Sequence, residues 1–196
     1  MKSKPDSTRE KVLAAATRLF QTQGYNATGL KEILEESGSP KGCLYYYFPN
    51  GKEELALEAI KLATEFIKRK IKQAFDEHSD PVAGIQYIIG TMIKDLSQEG
   101  NLRGLSISLI ALETYLSNEK LSNACKEAFI ALEEIFSEKL MKSGYSREMA
   151  QELGMMVQVM LEGALILSVA KKDTKSLELV NTQIGALLEQ DNKFIK

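Results

Sequence analysis

Apolar residues recur at helical spacing along almost the whole 196-residue chain, and no segment alternates apolar and polar residues as a half-buried strand would. The polar segments between these stretches are short, as connections between packed helices are. The pattern therefore predicts an all-α fold of about nine helices, three in a small domain at residues 1–51 and six at residues 52–196. The later helices are predicted at residues 52–76, 81–98, 105–115, 118–142, 147–170 and 174–190.

The first two helices have clear boundaries. Ser7 or Thr8 caps the first helix, and Gly24 ends it. A short second helix is predicted at residues 29–36, with Thr28 at its N-cap. The turn SGS follows, and the order helix, short helix, glycine-containing turn and short helix predicts a helix-turn-helix arrangement.

The third helix carries the unusual run Tyr-Tyr-Tyr at residues 45–47. Pro40 is predicted in its first turn and Ser39 as its cap. Successive residues of a helix point about 100° apart, so the three tyrosines cannot all be buried. Leu44 and Phe48 are predicted to face the core, with Tyr47 leaning toward them.

Charge is unevenly distributed. The chain has a net charge of −2, but residues 1–52 carry eight Lys/Arg and five Asp/Glu (net +3), against 17 and 22 in the remainder (net −5). A basic first quarter on an acidic body indicates that the first quarter meets a polyanion.

The rare residue types exclude most catalytic chemistry. His78 is the only histidine and lies in the polar segment FDEHSDP, where a solvated helix end is expected. Cys43 and Cys125 have neither CxxC nor secreted-scaffold spacing, which indicates two reduced thiols. We therefore expect no enzyme activity, no metal and no cofactor. We also expect no membrane association, because no uninterrupted apolar run reaches the roughly 18 residues that a membrane-spanning helix needs. A cytoplasmic location follows.

The segment TREKVLAAATRLFQTQGYNATGLKEILEESGSPKGCLYYYFPNGKEEL resembles the N-terminal domain of TetR-family transcriptional regulators. The similarity is strongest in F-x-x-x-G-Y-x-x-T and in K-G-x-L-Y-Y-x-F followed by K-E-x-L. Pro40 and Tyr47 depart from the commonest pattern, and Gly51 resembles an extra residue found in the branch that includes lincomycin-resistance repressors.

The resemblance implies a DNA-binding surface. Thr28, at a helix N-terminus, is expected to meet a phosphate, and Lys52 resembles the family lysine that contacts the DNA backbone. The third helix is expected to enter the major groove with its N-terminal end, where Gly42 permits a close approach. The expected DNA-binding residues are Thr28, Ser39, Lys41, Gly42, Cys43, Tyr45, Tyr46 and Lys52.

The body is expected to bind a small molecule and a second copy of the chain. Methionine-rich helices fit an adaptable pocket as well as an ordinary core, and the resemblance favours a pocket. Its expected lining is Phe66, Tyr87, Met92, Leu109, Tyr115, Phe129, Met156 and Met160. The last two helices are apolar on more than one face, which predicts a two-fold interface through Leu161, Ala164, Leu165, Val180, Ile184 and Leu187.

The resulting hypothesis is a homodimeric repressor that a small lipophilic or aromatic ligand releases from a palindromic DNA operator. An activator, or a regulator without an effector, fits the same residues. An all-helical enzyme and a helical module that binds only protein are the alternatives from other classes. The single histidine disfavours the enzyme, and the basic first quarter disfavours the protein-only module.

Overall fold

The computed structural model of the protein describes residues 8–99 and 107–192, and these residues form nine α-helices without a strand. The all-α class is confirmed. The helices are α1 (Thr8–Ala27), α2 (Leu30–Ser37), α3 (Lys41–Tyr47), α4 (Lys52–Glu77), α5 (Pro81–Glu99), α6 (Ile107–Thr114), α7 (Glu119–Lys142), α8 (Arg147–Lys171) and α9 (Lys175–Asn192). The alternative cap Ser7, the basic residues Lys2 and Lys4, and the predicted start of the sixth helix at Leu105 lie outside the described residues.

Packing divides the chain into two units. The first contains Met1–Phe66 and Arg103–Phe129, and the second contains Ile67–Leu102 and Ile130–Lys196. Two of the boundaries fall within α4 and α7, so each of these helices contributes to both units. The functional division into residues 1–51 and 52–196 is a separate matter and stays a prediction.

Two glycines shape the first unit. Gly24 has φ 85° and ψ 172°, so it interrupts α1 at the predicted position, although helical turns continue to Ala27. Gly38 adopts the left-handed conformation (φ 62°, ψ 28°) after α2, and its N–H donates to the carbonyl of Glu35. The turn between α2 and α3 is therefore the glycine-containing turn that the sequence predicts.

The first unit packs α1 against α2, α3 and α6, and α2 against α3. An ion pair between Arg9 Nη2 and Glu58 Oε1 (2.5 Å) joins α1 to α4. The Arg9 guanidinium also lies 5.1 Å from the centre of the Phe48 ring. Large apolar side chains of these helices are buried, among them Val12, Phe20, Ile33, Leu44, Phe48 and Leu55. The predicted burial of Leu44 and Phe48 is thus confirmed.

The second unit packs α5 and α8 against α9. Its core includes Ile71, Phe75, Ile85, Ile89, Phe136, Leu140, Val157, Leu161, Leu177, Ile184 and Leu188. Two hydrogen bonds connect helices of this unit. The Tyr145 hydroxyl, just before α8, donates to the Leu188 carbonyl of α9 (2.8 Å), and Lys139 Nζ of α7 donates to the carbonyl of His78, just after α4 (2.6 Å). His78 is half-buried, with its ring centre 5.0 Å from that of Tyr87, and is less solvated than predicted.

Candidate DNA-binding surface

Helix α3 begins one residue later than the sequence predicts. Pro40 is its N-cap, with φ −62° and ψ 146°, and the first helical residue is Lys41. The predicted cap Ser39 is half-buried, and its hydroxyl donates to the Ser37 carbonyl at 3.4 Å, so the cap assignment was wrong. A proline can hold this position because its φ is already restricted to about −65°. The correction leaves Lys41 and Gly42 at the start of α3.

The three tyrosines of α3 divide as their helical spacing requires. Leu44 and Phe48 are fully buried, whereas the side chains of Tyr45 and Tyr46 are 53% and 79% exposed. Tyr47 is half-buried, and its ring meets the Tyr46 ring edge-on at 4.8 Å. The predicted outward directions of Tyr45 and Tyr46 are confirmed, and the half-burial of Tyr47 agrees with its predicted lean toward the core. Contact between Tyr45 or Tyr46 and DNA stays a prediction.

The first turn of α3 is open to an incoming surface. Lys41 and Gly42 are exposed and Cys43 is half-exposed. A Cβ atom added at Gly42 would meet no other atom within 4 Å, so the glycine is not required by packing within the chain. A groove of about 560 Å³ is lined by residues of both α2 and α3, among them Leu30, Leu34, Lys41 and Tyr45.

Thr28 lies where its side chain is not accessible. The residue is 1% exposed, and its hydroxyl donates to the Gly24 carbonyl at 2.7 Å. The N-cap of α2 is Gly29 and not Thr28, which corrects the sequence prediction. A contact between the Thr28 hydroxyl and a phosphate would require the hydroxyl to leave Gly24, and such a contact stays a prediction.

Lys52, the first residue of α4, is held by the turn between α1 and α2. Its Nζ donates to the Asn26 carbonyl at 3.4 Å and lies 4.4 Å from the centre of the Tyr25 ring. Burial lowers the pKa of Lys52 below its ordinary value, and the negative charge of Glu113 acts in the opposite direction. The lysine is therefore half-buried beside a carboxylate, an arrangement that its position in the sequence does not reveal.

Glu113 is the residue of this surface that the sequence analysis missed. It belongs to α6, and its Oε2 accepts a hydrogen bond from the Asn26 backbone N–H at 3.0 Å. The two residues are 87 positions apart, and Glu113 belongs to no recognisable motif. Only the packing of α6 against α1 brings them together.

Part of the positive charge in the first quarter is neutralised within the chain. Arg9 pairs with Glu58, and Arg18 pairs with Glu36. Lys31 lies 3.7 Å from Glu35, but its side chain remains 90% exposed. The basic character of residues 1–52 therefore overstates the charge that is free to attract a polyanion.

Comparison with known proteins identifies the family. A family model described as bacterial regulatory proteins of the tetR family matches residues 12–59. A second, described as the C-terminal domain of LmrA/YxaF-like transcriptional regulators, matches residues 81–183. The chain belongs to the TetR family of transcriptional regulators. It is a DNA-binding protein with the N-terminal helix-turn-helix and the helical C-terminal part of that family.

Individual TetR-family relatives agree with this assignment. The chain is 44% identical over 190 residues to the uncharacterized HTH-type transcriptional regulator YxaF of Bacillus subtilis, covering 97% of this chain and 99% of the relative. It is 42% identical over 182 residues to LmrA of the same organism, covering 93% and 97%. A TetR transcriptional regulator from Legionella pneumophila has the same fold, with a TM-score of 0.82, 24% identity, and coverage of 95% and 99%. The resemblance to the lincomycin-resistance-repressor branch is confirmed.

The residues expected to bind an effector are divided between the two units of the TetR-family fold. Phe66, Leu109, Tyr115 and Phe129 belong to the first unit, and Tyr87, Met92, Met156 and Met160 belong to the second. Met92 and Met160 pack against the core of the second unit. Tyr87 and Tyr115 are 45% and 63% exposed. A common pocket for these eight residues stays a prediction.

The residues expected at the dimer interface are mostly internal. Leu161, Ala164, Leu165 and Ile184 are at most 7% exposed within a single chain, and Val180 and Leu187 pack against the same core. Residues that one chain already buries offer little surface to a second copy, and their place at a dimer interface stays a prediction. The exposed apolar side chains of α8 are instead Met155, Met156, Val159, Ile166, Leu167 and Val169, which we call the α8 stripe.

The remaining features give no second site in the described part of the chain. No group of three or more metal-binding side chains occurs among the described residues. Both cysteines are free, and burial raises the pKa of the Cys125 thiol to about 11, so it is not a reactive thiolate. Helix α8 is long and apolar enough, by length and composition only, to cross a membrane, but core helices of soluble proteins satisfy the same criterion.

Proposed function

We propose that this TetR-family regulator is a homodimeric repressor that binds a palindromic DNA operator and leaves it when a small lipophilic or aromatic molecule binds. The observation that carries the proposal is the composition of the exposed face of α3. Tyr45 and Tyr46 project from it beside Lys41 and Gly42, although large aromatic side chains are more often buried.

The exposed face of α3 suits DNA for a chemical reason. Tyrosine hydroxyls and a lysine donate hydrogen bonds to phosphate oxygens, and an aromatic ring can contact sugars or thymine methyl groups. Gly42, without a side chain, lets the start of α3 approach base edges closely. In this proposal residues 1–51 bind DNA, with Ser39, Lys41, Gly42, Cys43, Tyr45 and Tyr46 at or near the groove. Lys52, the first residue after this domain, contacts the DNA backbone.

Dimerisation would be carried by the α8 stripe. Met155, Val159 and Ile166 recur at helical spacing on one face of α8. The exposed Gly163 on the same helix would allow the α8 helix of a second copy to approach closely. A solvent-facing stripe of this kind in a single chain supports a two-fold contact between copies. Two such chains would place two copies of α3 in successive major grooves, about 34–36 Å apart.

Residues 52–196 would hold the effector. A ligand that binds more tightly to a conformer with a different spacing of the two α3 helices would reduce operator affinity. A coupling free energy of about 1–3 kcal/mol corresponds to a roughly 5–150-fold change in affinity. Such a regulator acts in the cytoplasm, where the DNA is, and has no catalytic step.

Genomic selection of bound fragments with the purified protein tests the DNA-binding part directly. We expect a palindromic sequence upstream of one or a few genes. An operator that overlaps the promoter supports repression, whereas one upstream of it supports the alternative of an activator. Fragments without a shared palindrome would contradict the two-fold arrangement.

A salt titration tests the assigned role of Lys52. The Lys52→Ala variant should bind operator and non-operator DNA more weakly by similar factors, because a phosphate contact carries no sequence information. The slope of log affinity against log salt should decrease by about 0.9 for one phosphate contact. An unchanged slope would show that Lys52 serves only the protein.

Thermal denaturation with a panel of flat aromatic and lipophilic compounds tests the effector. A compound that raises the melting temperature should also weaken operator binding. If no compound in a broad panel raises the melting temperature, the effector-independent alternative is favoured.

A further inference from the structure

We propose that Glu113 is a positioning residue for DNA binding, which holds Lys52 at the turn between α1 and α2 and competes with a DNA phosphate for its ammonium group. The inference rests on the proposed role of Lys52 at the DNA backbone. Glu113 of α6 would thus affect DNA binding through Lys52, which lies far from it in the sequence.

The Glu113 carboxylate occupies a space that the chain leaves free for it. A Cβ atom added at Gly24 would lie 2.3 Å from Glu113 Oε1, so the carboxylate fills the position where other residues carry a side chain. Its second oxygen accepts the Asn26 backbone N–H at 3.0 Å. The carboxylate is thus fixed against the turn by packing and by a hydrogen bond.

The Lys52 ammonium is held at the same turn. It donates to the carbonyl of Asn26, the residue whose N–H donates to Glu113, and it lies over the Tyr25 ring. Glu113 raises the pKa of Lys52 against the larger effect of burial, so the carboxylate stabilises the charged lysine. The ammonium therefore already has three favourable neighbours before DNA is present: the Asn26 carbonyl, the Tyr25 ring and the negative charge of Glu113.

The other acidic residues at the start of α4 have different partners. Glu53 accepts hydrogen bonds from Lys120 Nζ and from Asn118 Nδ2, each at 2.8 Å. Glu54 accepts the Asn50 backbone N–H at 2.9 Å. Of these three carboxylates, Glu113 is the one that acts on the pKa of Lys52.

Competition follows from these contacts. To meet a phosphate, the ammonium must give up part of its attraction to Glu113, and the negative charge of Glu113 also opposes an approaching phosphate. Removing the charge while keeping the hydrogen-bond acceptor should therefore strengthen DNA binding through Lys52. Glu113→Gln makes this change, because an amide oxygen can still accept the Asn26 N–H.

The experiment compares the full-length protein with Glu113→Gln, in the natural background and in a Lys52→Met background, by titration with duplex DNA at fixed salt. Glu113→Gln should tighten binding about two- to fivefold, the range expected for a partly exposed charge pair. In the Lys52→Met background the same change should have less than about one third of that effect on a logarithmic scale. Glu119→Gln, which removes the same charge at an exposed position of α7, is the control and should change binding little.

A second measurement does not depend on DNA. The Lys52 pKa, followed by NMR of its side chain, should fall in Glu113→Gln and stay unchanged in Glu119→Gln. Equal effects of Glu113→Gln in both backgrounds, or an unchanged Lys52 pKa, would overturn the inference. If the natural protein binds no DNA at any salt concentration, the proposed function fails instead, and the pKa measurement still decides whether Glu113 holds Lys52.

Discussion

Helices α3 and α8 both expose large apolar side chains, but the chemistry of the two surfaces differs. Helix α3 exposes Tyr45 and Tyr46, each with a hydroxyl, beside a lysine. The α8 stripe exposes only methionine and aliphatic side chains, which have no strong hydrogen-bond donor. Apolar surface with donors can bind a hydrated anion such as DNA, whereas apolar surface without them gains free energy only by excluding water. Exposure alone therefore does not identify the partner of a surface.

The largest effect is expected from placing charge on the α8 stripe. Val159→Glu together with Ile166→Glu should raise the dimer dissociation constant at least about 100-fold, or about 2.8 kcal/mol, because two copies of each carboxylate would meet at the two-fold axis. Sedimentation should show monomers, and circular dichroism should show unchanged helix content. Operator affinity should fall with the dimer, since one half-site alone binds weakly.

Two controls distinguish a surface effect from misfolding. Leu116→Glu, at an 84% exposed position of the first unit, should leave the dimer intact. Ile184→Glu should unfold the protein, because Ile184 is fully buried and a charge there has no partner. A double variant of the α8 stripe that still sediments as a dimer would place the interface elsewhere.

A smaller effect is expected at the α3 tyrosines. Tyr46→Phe and Tyr45→Phe each remove one hydroxyl from an exposed ring, so the melting temperature should not change. Loss of a hydrogen bond to a charged phosphate costs about 1.5–3 kcal/mol, which corresponds to roughly ten- to hundredfold weaker operator binding. Titration at one salt concentration measures this effect.

Tyr47 provides the contrast within the same run. Because Tyr47 is half-buried, Tyr47→Ala should destabilise the protein by roughly 2 kcal/mol and lower the melting temperature by about 4–8 °C. Its operator affinity, measured well below the melting temperature, should change less than that of Tyr46→Phe. The opposite ranking would mean that the groove-facing residues of α3 must be reassigned.

The smallest effect is expected at Gly42. Alanine there meets open space within the chain, so Gly42→Ala should stabilise α3 by about 0.5–1 kcal/mol. If the position faces base edges, the added methyl group should cost about 1 kcal/mol of binding, or about fivefold. A more stable protein with weaker operator binding is the expected combination, and unchanged binding would remove Gly42 from the DNA-facing surface.

The α3 surface could be predicted from the sequence because its geometry is local. The about 100° step of a helix and the apolar positions Leu44 and Phe48 together determine which tyrosines point outward. The helix bounds were predictable for the same reason, since caps and apolar spacing act within a few residues. The errors at Ser39 and Thr28 are of one residue and concern which neighbour caps a short helix.

The exposed apolar face of α8 could not be predicted in the same way. This helix is apolar on more than one side, so its sequence pattern does not say which side meets α9 and which remains exposed. The prediction chose Leu161 and Ala164, which the core of the second unit already buries. Where apolar residues cover most of a helix, only the packing partners decide what is left at the surface.

The sequence by itself determined the helical class, the helix-turn-helix and the direction of the α3 side chains, because each depends on interactions between residues close together in the chain. Its motifs also identified the family. The tertiary structure alone decided that Glu113 of α6 lies against Gly24 and Asn26, that Lys52 is half-buried beside it, and that the α8 stripe is the exposed face. Contacts between residues as far apart as 87 positions leave no periodic trace in a single sequence. They arise only from the packing of the helices, which decides which of several similar apolar faces becomes buried.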